Sequence, residues 1–175
     1  DTVPVFNGPL GTANTAALVL AVAAHESGFA HDVDKGPCYR GKDGKSSRCD
    51  GGRASCMLQI HMGANGKTVE GWTSEDLFKD RKKCFKAGMR GMRNSIRSCR
   101  KEWPKNPENW LAMYASGGCR EGLKGSGELW ALYKRFWSKL EVPEQKNVKS
   151  KGKTPAPPKE KPPEKGPTEQ TRYLK

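Results

Sequence analysis

The longest apolar run in the chain covers residues 16–24, nine positions without a polar side chain. With Thr12 and Asn14 before it and Glu26-Ser27-Gly28 after it, the run predicts a helix over 12–25. That helix is apolar nearly all round, so it should be central and buried. Thr12 or Asn14 would cap it, and Gly28 would end it. A membrane span needs roughly 20 apolar residues, so none is expected. Residues 31–56 are rich in Gly, Lys, Asp and Ser, which predicts an irregular loop or small hairpin outside the helical core. Residues 57–60 form a short apolar patch that would serve as a strand edge.

Residues 74–100 read as one helix. Ser74 is the expected cap, Glu75 and Asp76 fill the first turn, and Phe85, Met89, Met92 and Ile96 recur at helical spacing. A further helix is expected over 110–115, stopped by Gly117-Gly118. The last covers 128–140, with Leu129, Leu132, Tyr133, Phe136 and Trp137 on one face. The sum is a mainly α domain over 1–142 with a small β or loop subdomain. No internal repeat is visible.

From Pro143 the pattern stops. The last 33 residues hold seven Pro, nine Lys or Arg and four Glu, with almost nothing apolar to bury. Burial cannot offset the entropy of ordering such a segment, so 143–175 is expected to be a disordered, polyproline-like tail. Proteolysis should remove it first. The chain opens Asp-Thr-Val-Pro. That lacks the basic start and apolar stretch of a signal peptide, as expected of a mature or trimmed chain.

Cysteine usage sets the compartment. Cys38, Cys49, Cys56, Cys84, Cys99 and Cys119 are even in number and lack the tight pairs of a zinc site. Three disulfides are expected, hence a secreted or periplasmic protein. Six cysteines allow fifteen pairings. Cys84 and Cys99 on one helix would stand about 22 Å apart, far beyond disulfide reach. The pairing expected is Cys38–Cys49, Cys56–Cys84 and Cys99–Cys119. A net charge of +13 would fit nucleic acid. An oxidising compartment points instead to anionic cell-wall polymers, and no nucleic-acid partner is expected.

Glu26 is the leading chemical candidate. It follows the buried helix, where desolvation and the negative end of the helix dipole both disfavour a carboxylate. A general acid working near neutral pH needs that upward shift. Asp50, before Gly51-Gly52 in a polar loop, should stay ionised, with Asp32, Asp34 and Asp43 as competitors. One protonated and one ionised carboxyl is the division of labour of glycoside hydrolysis. Gln59 within an apolar patch is hard to place as core, because a buried amide needs partners. His25 and His31 are six apart with Gly28 between them, so they cannot share a helix face as metalloprotease ligands do. Neither metal nor cofactor is expected.

Three segments together resemble the signatures of the lysozyme-like superfamily, closest to soluble lytic transglycosylases and goose-type lysozymes. They are Glu26-Ser27-Gly28-Phe29, then Ala54-Ser55-Cys56-Met57-Leu58-Gln59-Ile60, then Ala112-Met113-Tyr114-Ala115-Ser116-Gly117. Asp76-Leu77-Phe78 and Lys86-Ala87-Gly88 match in order between them. The resemblance covers about residues 12–137 and implies a lysozyme-like helical fold with Glu26 as the catalytic acid. It also implies a glycan cleft lined by Ser27, Met57, Gln59, Ile60 and Tyr114. Two departures stand out: Cys56 replaces the usual Gly of the second block, and Ala115 the usual Asn of the third. Asp50 lies nine residues before Gln59, where goose-type lysozymes carry an auxiliary acid. Lytic transglycosylases typically lack that acid and form an anhydro product.

The function implied is a monomeric exported enzyme that cleaves the β-1,4 bond between N-acetylmuramic acid and N-acetylglucosamine in peptidoglycan. Asp50 then serves as base or electrostatic stabiliser. A lytic transglycosylase leaving 1,6-anhydro ends is the nearest alternative. A non-catalytic cationic wall-binding protein, or an antimicrobial acting by charge alone, is the alternative of another class.

Overall fold

A computed structural model of the chain describes residues 3–35 and 53–140. These residues are mainly helical, with one small two-stranded sheet. The central element is α1, Gly11–Ser27. Leu18, Ala21 and Val22 along it are fully buried. It packs along α6, Leu123–Trp137, its main helical neighbour. Gly28 ends α1 as expected, with φ 57° and its N–H bonded to Ala24 O. The start differs from expectation. Leu10 is the N-cap and offers no side-chain bond, while Thr12 and Asn14 lie inside the helix. Asn14 and Thr15 make tertiary contacts instead. Asn14 Oδ1 accepts from Tyr133 of α6 at 2.6 Å. The buried Thr15 hydroxyl accepts from the Val5 and Phe6 N–H groups, which folds the preceding segment onto the helix.

After α1 comes a short helix, α2, His31–Lys35, where an irregular stretch was expected. Ala30 O accepts from the N–H groups of Val33 and Asp34, and Val33 packs on Ala54. Asp34 is 5% exposed and ion-paired with Arg81 at the start of the long helix. That pairing makes it a structural anchor rather than a second acid. Cys38, Cys49 and Asp50, and with them the expected Cys38–Cys49 disulfide, lie outside the described residues.

The sheet is a hairpin of β1, Ala54–Ser55, and β2, Ile60–His61. Ala54 stands opposite His61, and Ser55 opposite Ile60. Its loop, residues 56–59, is tied to the helical core in two ways. The Cys56–Cys84 disulfide is one. The other is Leu58, fully buried over Gly88, where any Cβ would collide with the leucine Cδ1.

The helix expected over 74–100 is two helices, α3 (Ser74–Lys79) and α4 (Arg81–Glu102). Thr73, not Ser74, caps α3, in a capping box with Asp76. Asp80 makes the break. Its backbone is extended, at φ −124° and ψ 100°, and its side chain accepts from Lys82 N at 2.8 Å. A short acidic side chain that bonds its own backbone competes with helix continuation. Apolar periodicity passes through the break, so the pattern hid it.

A 3-10 turn at Pro107–Asn109 leads into α5, Ala112–Ser116. Five residues are too few to hold a helix alone. Two buried serines supply the support. Ser95 of α4 donates to Trp110 O and accepts from Tyr114 N. Ser126 of α6 accepts from Leu111 N and donates to Glu108 O. The Cys99–Cys119 disulfide fixes the exit. Both expected disulfides within the described residues are therefore present. The last helix begins at Leu123 rather than 128 and ends at Trp137. Gly125 and Gly127 weaken the helical signal there. No helix among the described residues is long and apolar enough to cross a membrane.

Candidate functional site

Glu26 is the penultimate residue of α1, where the buried helix reaches the surface. Its side chain is 22% exposed. Burial is the main cause that holds its carboxyl above the usual range, partly opposed by His25 and, more weakly, by His61. Oε1 stands 3.3 Å from Nδ1 of His25. The other imidazole nitrogen, Nε2, is 3.1 Å from Glu128 Oε2 on α6.

A cavity of about 740 Å³ opens beside this group. Gln59, Ile60 and His61 line it from the hairpin, Arg90 and Asn94 from α4, and Tyr114 from α5. Glu26 does not line it. It is linked to the cavity electrostatically: His61 acts on it, and its carboxylate acts on Tyr114. Tyr114 is pushed far above the ordinary phenol range, first by burial and then by the Glu26 carboxylate. Its hydroxyl donates to Leu58 O at 2.7 Å and its ring faces the cavity. Tyr114 thus combines a satisfied core hydroxyl with an aromatic wall. Gly91 of α4 is what lets the ring in, because a Cβ there would stand 3.1 Å from the ring edge.

Local backbone geometry marks the same places. Phe29, Cys56 and Gln59 are the non-glycine residues with positive φ, at 59°, 58° and 48°, among the described residues. Left-handed backbone costs a side-chain-bearing residue of order 1–3 kcal/mol and gathers at functional sites. Cys56 stands where the resembled motif has Gly, and its disulfide holds it in the conformation glycine would take. Gln59 is held by its own N–H and its Nε2, both donating to Cys56 O.

Of the five side chains expected to contact substrate, Gln59, Ile60 and Tyr114 meet in the cavity. Met57 and Ser27 do not line it. Met57 packs against the core. The Ser27 hydroxyl donates to Ala23 O and accepts from Phe29 N, which closes the helix end. His61, Arg90, Asn94 and Glu128 were not singled out from sequence. Only His25, as the immediate neighbour of Glu26, carried a signal. Arg90 is ion-paired with Glu70 at 2.7 Å. Among the described residues, no three His, Cys, Asp or Glu side chains cluster closely enough to hold a metal ion.

Comparison with known protein families, with characterised proteins and with solved structures finds no match to this chain. The case for a function therefore rests on the chemistry of the site.

Proposed function

We propose that the protein cleaves the β-1,4 linkage between N-acetylmuramic acid and N-acetylglucosamine in peptidoglycan, with Glu26 as general acid. The observation that carries the reading is a convergence. A carboxyl whose pKa burial raises sits at the close of the buried helix. It lies within electrostatic reach of Tyr114 and His61, which share a cavity with Gln59. Proton delivery to a glycosidic oxygen calls for a carboxyl that is still protonated near neutral pH. Neutral donors and acceptors beside an aromatic wall suit sugar hydroxyls and acetamido groups. Two disulfides and a net charge of +13 suit an exported protein concentrated on an anionic wall.

Glu26→Gln tests the reading. The variant should bind sacculi, keep its fold and release no soluble fragments. Fragment release at the wild-type rate would remove the acid assignment. Retained binding with no release by the wild-type protein would favour the non-catalytic wall-binding alternative. Killing of cells that survives Glu26→Gln would favour action by charge. Asp50 is assigned the second role on its sequence position. Asp50→Asn should cost hydrolysis heavily, by about 10²-fold or more if it acts as general base. Mass analysis of product ends separates the two chemistries: reducing ends mean hydrolysis, and 1,6-anhydro ends mean a lytic transglycosylase.

A further inference from the structure

The His25 side chain touches Glu26, and it touches a second carboxylate as well. Nδ1 faces Glu26 Oε1 at 3.3 Å and Nε2 faces Glu128 Oε2 at 3.1 Å. Successive residues of a helix normally point apart. Here the contact forms at the last turn of α1, and Glu128 reaches in from α6, 103 positions away in sequence. The imidazole is 27% exposed, so it is partly shielded, whereas Glu128 is 53% exposed and reaches water.

Hydrogen-bond chemistry limits the states of this trio. An imidazole can donate from both nitrogens only when it is protonated. In that state it donates one bond to each carboxylate. A neutral imidazole donates from one nitrogen only. If Nε2–H then stays on Glu128, the contact at Nδ1 survives only when Glu26 carries the proton and donates it. One proton thus moves between Glu26 Oε1 and His25 Nδ1 with no change in the charge of the trio. Glu128 favours the arrangements in which Nε2 carries hydrogen.

We infer that His25 is a positioning residue that holds Oε1 of Glu26 in place and couples its protonation to Glu128. The inference rests on Glu26 as the acid proposed above, and it adds what sets the pH at which that acid is lost. Among the described residues, the titratable groups acting on Glu26 are His25 on α1 and His61 on β2, and Glu26 in turn acts on Tyr114 on α5. Glu128 on α6 faces His25.

The sign of the effect makes the coupling testable. Glu128 acting on Glu26 directly, as one negative charge on another, would favour the protonated acid. Its removal would then move the titration of Glu26 down in pH. Acting through His25 it does the opposite. Glu128→Gln weakens the protonated imidazole, Glu26 loses its cationic neighbour, and the acid keeps its proton to higher pH.

The experiment uses the full chain and two readouts. One is the carboxyl ¹³C titration of Glu26 by NMR. The other is the alkaline limb of the pH–rate profile on sacculi. Glu128→Gln and His25→Gln should each move both midpoints upward by a few tenths of a pH unit. Glu128→Gln added to His25→Gln should give no further upward shift. An unmoved or downward-moving midpoint in Glu128→Gln overturns the coupling. So does a lowered melting temperature with both midpoints unchanged, which would mean that the contact only tethers α1 to α6. If the NMR midpoint moves up while the wild-type protein releases nothing from sacculi, the coupling holds and the enzymatic reading fails.

Discussion

Glu26 carries a pH dependence of stability whose direction follows from its environment. Burial raises its pKa in the folded state, so the native protein binds that proton more tightly than the unfolded chain. Stability then falls as pH rises from the unfolded value, about 4.3, through the folded one, and the penalty is complete above that window. Glu26→Gln removes the titration. The variant should melt at a higher temperature than wild type at pH 7, and the difference should close as pH falls below about 4. Thermal melts across pH check this, and a gain that persists in acid would contradict it. Gln59 separates stability from activity in the same way. Its left-handed φ of 48° favours glycine, while its amide bonds Cys56 O and faces the cavity. Gln59→Gly should keep stability within about 1 kcal/mol of wild type, because relief of backbone strain offsets the lost bond. Fragment release from sacculi should fall by about 10-fold or more, as expected when a substrate hydrogen bond is lost.

The elements depend on a few close approaches that can be probed singly. Gly88 on α4 is where Leu58 of the hairpin loop seats. Gly88→Ala overpacks a fully buried contact and should cost about 1–3 kcal/mol, read from denaturant unfolding. It should also lift the hairpin and reduce activity, since the loop carries Gln59. Asp80 divides α3 from α4 and caps the latter. Asp80→Ala should cost about 1 kcal/mol and leave activity nearly unchanged, because neither Asp80 nor its partner Lys82 lines the cavity. The helical faces of α4 and α6 were legible from their apolar spacing, and α1 from its continuous apolar run. The break at Asp80 was not, because 3.6-residue periodicity ran on through it. Nor was α2, a five-residue helix whose buried Val33 packs with Ala54 and Ala30. Short elements held by tertiary contacts leave little trace in local pattern.

For the molecule as a whole, the cavity is built by α4, α5 and the hairpin, and two disulfides hold those parts together. Cys56–Cys84 ties the hairpin loop to α4, and Cys99–Cys119 ties the far end of α4 to the segment after α5. Loss of either, by paired Cys→Ser substitution, should cost about 2–5 kcal/mol. Loss of Cys56–Cys84 should also impair activity more strongly, since it frees the loop bearing Gln59. Unfolding and fragment release measured on both paired variants check this.

The sequence by itself determined the helical class and both disulfides among the described residues, and it singled out Glu26, Gln59 and Tyr114 as candidates. Those features are written in local spacing, in cysteine placement and in a motif. The α1 helix was expected to be buried all round, but Leu20 on it is exposed. Tertiary structure alone decided that Ser27 closes a helix while Met57 fills the core, and that Glu128 meets His25. It also decided that Tyr114 gives its hydroxyl to Leu58 while its ring walls the cavity. The physical reason is that contacts between residues far apart in the chain depend on how the helices pack, and no local pattern encodes a distance across the fold.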